Sequence, residues 1–247
     1  VIDGKWKMMR VVLTVGALAF MLASPAQGTL TYPVVLTVQS GSDTVSQVIT
    51  QPIDSQVEIL SPSGACMATI FQLSSSVDQD PAVNLHFSVE ADTTDTFTFS
   101  SPVVTFAAIS NPVCVTSSSI TLTDTDGDGA TLTGLEAGGN AYKAIYNGGT
   151  SWSCLNPTYG FADPYDSQAE SNRDPLSGLG TIPDTLTSIQ SEYSFTLSPN
   201  DLASGTSMFT VNAQPVPEPI TFLGLLTGLA GLGGYVRNRT KRQRTAN

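Results

Sequence analysis

The chain has 247 residues, 21 of them acidic and 10 basic, for a formal net charge of -11. Charged residues are 13% of it, where about 25% is usual, while Ser and Thr together number 58. This composition argues against a nucleic-acid binder, which needs a basic face against phosphates, and against a coiled coil, which is rich in Glu, Lys and Leu. Hydrophobic residues are 40% of the chain and many alternate with polar ones, which argues against full disorder.

The charge is unevenly distributed. Lys5, Lys7 and Arg10 precede an apolar run at residues 11–23, and the small residues Ser24, Ala26 and Gly28 follow it. About 13 apolar residues are too few for a bilayer span of ~20. A basic start, a short apolar stretch and small residues form the pattern of a cleaved secretory signal. Residues 1–28 are therefore expected to be a signal peptide, cut by signal peptidase after Ala26 or Gly28, with Met8 or Met9 as an alternative start. The stretch 29–216 holds 19 acids and two bases, Lys143 and Arg173.

From residue 29 onward the pattern has period two. Apolar residues occupy the odd positions of 83–90, and the same alternation recurs at 96–99, 119–122, 193–197 and 208–211. Further β-branched or apolar stretches lie at 34–38, 103–109 and 141–146. Alternation of this kind places one strand face on a core and the other in water. Turn signals such as Ser40-Gly41, Ser63-Gly64 and Asn147-Gly148-Gly149 separate the runs. The expectation is an all-β ectodomain over residues 29–211, an antiparallel β-sandwich or jelly roll. Residues 147–192 read as long loops with one short helix near 184–191, and residues 212–219 as a linker.

Chemistry-bearing residues are few. His86 is the one histidine and shares a strand face with Asn84, Ser88 and Glu90, so an exposed position is expected rather than a catalytic one. No G-x-S-x-G elbow accompanies it. Cys66, Cys114 and Cys154 form an odd set, which an oxidising envelope would allow to form one disulfide. All three pairings are open, and Cys114–Cys154 is favoured because it would bracket the acidic segment Asp124-Thr125-Asp126-Gly127-Asp128-Gly129. There, carboxylates on alternate residues (Asp124, Asp126, Asp128) can converge on a hard cation, with the glycines allowing the tight turn. The segment matches the opening of an EF-hand loop, but position 12 is Leu135, and strands rather than helices are expected on either side. The reading is a β-hairpin loop with calcium as the candidate cofactor. Trp152, Tyr159 and Tyr165 fall in the loop-rich stretch and are candidates for stacking on sugar rings, against the simpler role of pinning loops to the core.

The C-terminal part is organised in three pieces. Pro217-Glu218-Pro219 precedes 17 uncharged residues at 220–236, and Arg237, Arg239, Lys241, Arg242 and Arg244 follow. The apolar run would span roughly 25 Å as a helix, marginal for a ~30 Å hydrocarbon core, and the basic cluster would remain cytoplasmic. The two prolines prevent a regular helix through the junction. This order resembles the PEP-CTERM sorting signal of Gram-negative bacteria. The resemblance covers only this segment. It implies recognition by exosortase, a membrane-embedded cysteine protease-like transpeptidase, removal of the tail, and delivery of the mature protein to the cell surface, in association with exopolysaccharide or biofilm.

Together these features lead to an exported surface or matrix protein without enzymatic activity. Its precursor is held in the inner membrane by a transmembrane sorting helix at 220–236, with a basic tail at 237–247. The alternative is a calcium-assisted carbohydrate-binding or adhesive module with extracellular polysaccharide as partner. A secreted hydrolase is a third reading.

Overall fold

Ser, Thr and apolar residues alternate over most of the ectodomain, and the backbone follows with strands alone. The computed structural model describes residues 30–31, 33–78 and 81–214. The signal segment, the Pro-Glu-Pro motif, the apolar run at 220–236 and the basic tail lie outside the described residues. The strands are β1 (Leu30–Thr31), β2 (Val34–Ser40), β3 (Asp43–Ile49), β4 (Val57–Leu60), β5 (Cys66–Asp78), β6 (Ala82–Ala91), β7 (Asp95–Ser100), β8 (Val104–Ser110) and β9 (Val113–Asp124). They continue as β10 (Ala130–Gly134), β11 (Asn140–Tyr146), β12 (Thr150–Pro157), β13 (Tyr159–Phe161), β14 (Ser167–Asp174), β15 (Gly180–Thr181), β16 (Thr185–Leu197) and β17 (Asp201–Asn212). The described residues contain no helix, hence none long and apolar enough to cross a membrane.

Antiparallel pairing joins the strands into two sheets in a sandwich-like arrangement, as the alternation predicts. The eight-stranded sheet runs β1-β5-β6-β17-β9-β14, with β4 on β5 and β15 on β9. The nine-stranded sheet runs β12-β11-β16-β7-β2-β3, with β8 and β10 on β16 and β13 on β10. Along β6 the buried residues are Ala82, Val83, Leu85, Phe87, Val89 and Ala91, while Asn84, His86, Ser88 and Glu90 point outward.

The two inner faces meet through aromatic rings. Phe87 of β6 stacks on Phe99 of β7 at 4.7 Å and meets Tyr193 of β16 edge-on at 4.8 Å. Phe195 lies 5.4 Å from Phe87. Such pairs add about 0.5–1.5 kcal/mol each beyond their burial. The hydroxyls of the buried Tyr142 and Tyr193 also reach across the interior. Tyr142 bonds Thr116 at 2.9 Å and Ser191 at 3.0 Å, and Tyr193 bonds Ser118 at 2.8 Å. Buried phenols are thereby satisfied.

The abundance of Ser and Thr is explained on the outer faces. Neighbouring strands present hydroxyl pairs that bond each other: Thr37 with Ser46, Ser88 with Ser204, Thr96 with Thr196, and Ser119 with Ser171. Cross-strand pairs of this kind support a sheet without charge.

Three local expectations are corrected. The helix expected near 184–191 is the first half of β16. Leu186 and Ile189 imitate a helical spacing because the register with β8 shifts between Leu186 and Ser188, so both point inward. The stretch 147–192, expected as loops, contains β12 to β15 and much of β16. The acidic segment does not close a hairpin either, because β9 belongs to the eight-stranded sheet and β10 to the nine-stranded one. It is a corner where the chain changes sheets.

Candidate functional site

The inward-facing row of β9 ends at Asp124, and that of β17 begins at Asp201. The two residues are direct cross-strand partners, 2% and 0% exposed. Like charges set opposite each other in a sheet repel, and burial removes the water that would screen them.

The corner that follows β9 folds back around the first carboxylate. Asp124 Oδ1 accepts the backbone N–H groups of Asp126 (3.2 Å) and Gly127 (2.8 Å). Its Oδ2 accepts those of Gly129 (3.2 Å) and Tyr165 (2.8 Å). Burial works to raise the pKa of this group, but the four N–H donors outweigh it and hold the carboxyl below its ordinary value. Positive φ at both glycines, and at Gly129 a close approach to backbone, exclude a side chain. Gly127 has a φ of +92° and a Cβ there would stand 2.6 Å from the Tyr165 ring, while one on Gly129 would stand 2.7 Å from the Phe161 carbonyl oxygen.

A second turn, between β16 and β17, meets this corner. Thr125 Oγ1 donates to the Asn200 carbonyl, and Asn200 Nδ2 donates to Asp126 Oδ2 at 3.0 Å. Asp126 Oδ1 accepts the Asp128 N–H at 3.3 Å. Asp201 Oδ2 accepts the Ser198 hydroxyl, while Asp201 Oδ1 is buried without a hydrogen-bond partner. Burial, reinforced by the charges of Asp124 and Asp126 and opposed by the Ser198 hydroxyl and the Thr125 N–H, pushes the Asp201 carboxyl up to about 6.

Asp124, Asp126 and Asp201 each bring a carboxylate oxygen within 4.8 Å of the other two. Asp128, expected as the third member, stands outside this triad; its carboxyl is raised by a hydrogen bond to Asp126 and by that residue's charge. Asp201 was not legible as a partner because it lies far along the chain. Its one signal is that it opens the inward row continued by Ala203, Gly205, Ser207, Phe209 and Val211.

The remaining candidates are dispersed. Trp152 stacks on Phe209 at 5.6 Å, and the Tyr159 hydroxyl donates to the Ile120 carbonyl at 3.1 Å; both are partly buried against the core. Tyr165 is 72% exposed. Cys66, Cys114 and Cys154 are free thiols. Cys114 lies on β9 and Cys154 on β12, in different sheets, and the favoured pairing between them is not formed. Burial pushes the Cys114 thiol up to about 12. His86 faces outward between Ser74 and Thr206, and burial lowers its basicity. Beside it, on the same outer face, an open groove of about 680 Å³ is lined by Asn84, Ser119, Arg173, Leu176, Thr206 and Met208, among others.

No protein-family model matches the chain, and no curated protein matches it. Among solved structures it is similar to a chain in the structure of infectious bursal disease virus Gx strain, at 12% identity and a TM-score of 0.26. The match covers 78% of this chain and 54% of that one, so this chain spans about half the length of its structural neighbour. At that score the likeness carries no argument about function.

Proposed function

We propose that the protein is an exported, non-enzymatic component of the cell surface or extracellular matrix, delivered by its signal peptide and released from its tail by exosortase. The observation that carries this reading is the order Pro217-Glu218-Pro219, uncharged run 220–236, then Arg237, Arg239, Lys241, Arg242 and Arg244. The fold is consistent with it. The interior is filled by interlocking side chains, and the groove on the outer face is open and lined mainly by hydroxyl, amide and apolar groups. His86, the histidine that acid–base chemistry would use, has Ser74 and Thr206 as its cross-strand neighbours.

The hydroxyl-rich outer face favours a neutral extracellular polysaccharide as partner. A polyanion would meet repulsion from an ectodomain with 19 acids and two bases, whereas a neutral sugar exchanges hydrogen bonds with Ser, Thr and Asn groups. Replacing Pro217, Glu218 and Pro219 together by Ala tests the sorting reading in the native cells. The expected outcome is a chain that accumulates uncut in the membrane fraction. Release of the triple variant at the normal rate would contradict it.

A further inference from the structure

We propose that Asp201 and Asp126 ligate calcium at the corner between the two sheets, with Asp124 adding charge beside them, and that Asp128 is not a ligand. The proposal is independent of the sorting reading and rests on three observations. The first is the unpartnered Oδ1 of Asp201, a residue with 0% exposure. A buried carboxylate oxygen without a hydrogen bond is costly to leave bare, and natural proteins rarely leave one so.

The second is the distance. Calcium binds oxygens at about 2.3–2.6 Å, so two ligands of one ion lie at most about 5 Å apart. The three carboxylates meet that limit, each with an oxygen within 4.8 Å of the others.

The third is the whereabouts of positive charge. Among the described residues the bases are Lys143 and Arg173. Lys143 is held by Glu136 at 2.8 Å and Glu192 at 3.0 Å. Arg173 donates to the carbonyls of Pro175 and Gly178. Neither compensates the three acids.

Lone pairs divide the roles. A carboxylate has about four acceptor positions. Asp124 already accepts four N–H bonds, so it contributes mainly charge at close range. Asp126 accepts one N–H bond on each oxygen besides its contact with the Asp128 carboxyl, and Asp201 accepts the Ser198 hydroxyl on Oδ2, with the Thr125 N–H also acting on its carboxyl. These two supply the free lone pairs, with water completing the shell. Calcium fits better than magnesium because it tolerates irregular geometry, and magnesium demands a near-ideal octahedron. Few protein ligands place the affinity among extracellular modules, at a Kd of about 10⁻⁴–10⁻³ M.

The test uses the full chain in detergent, stripped with chelator and then melted with and without 5 mM calcium chloride. The expected result is a rise in Tm of several degrees with calcium and a much smaller one with 5 mM magnesium. Asp201→Asn should abolish the calcium response and melt no lower than the wild type in chelator, because it removes a buried repulsion. Asp126→Asn, at an exposed position, should weaken calcium binding at least tenfold by titration calorimetry, and Asp128→Asn should leave it unchanged. An unchanged wild-type Tm, an equal shift with magnesium, or a calcium response that survives Asp126→Asn or is lost in Asp128→Asn would overturn the proposal.

Discussion

Lys143 shows how much a single base matters in so acidic a molecule. It stands on β11 across from Glu192 of β16 and bonds both Glu192 and Glu136. Burial works against its ammonium, but the hydrogen bonds and charges of the two glutamates outweigh this and raise it above its ordinary value. A lysine raised in the fold gives stability that is complete below its unfolded value of about 10.4 and is lost as pH rises through the folded value. Lys143→Met should therefore destabilise the fold by about 1–2 kcal/mol near neutral pH, a figure reduced from that of a fully buried pair because the side chain is partly exposed. The difference between the two proteins should shrink above about pH 10.4, as measured by urea unfolding across that range. Glu136 and Glu192 belong to no motif, so the pair that Lys143 bridges follows from strand register alone.

At the level of elements, the alternating strands were readable and the others were not, for identifiable reasons. β6, β7, β9 and the second half of β16 bury every second residue, and their sequences say so. β14 reads Ser-Gln-Ala-Glu-Ser-Asn-Arg-Asp and has no apolar face. It is a strand because its backbone pairs with β9 from Ser167–Thr123 to Asp174–Thr116, a long-range partnership that local pattern does not encode. The acidic corner was readable as a turn and as a cluster of carboxylates, but Asp201 entered only when β17 was placed beside β9. β17 itself depends on a small residue at its centre. Gly205 faces the core, and a Cβ there would stand 2.3 Å from Cε1 of Phe87, the ring that stacks on Phe99. Gly205→Ala should displace that ring and cost about 1–3 kcal/mol by overpacking. Thermal unfolding checks this, and an unchanged Tm would mean that the Phe87 stack has slack that the packed core does not suggest.

Over the whole molecule, the charge of -11 separates into parts with different roles. Eight of the ten bases flank the two apolar runs outside residues 29–216, and the remaining two lie inside an acidic sandwich. Removal of both ends would leave a domain with 19 acids and two bases, held together mainly by aromatic packing and hydroxyl ladders, with Lys143 bridging Glu136 and Glu192. That loss of the basic tail is the central claim, and intact-mass spectrometry of the protein isolated from its native cells tests it most directly. The account predicts a mature chain that begins near residue 27 or 29 and ends near residues 216–219. A chain that still ends at Asn247 would contradict it.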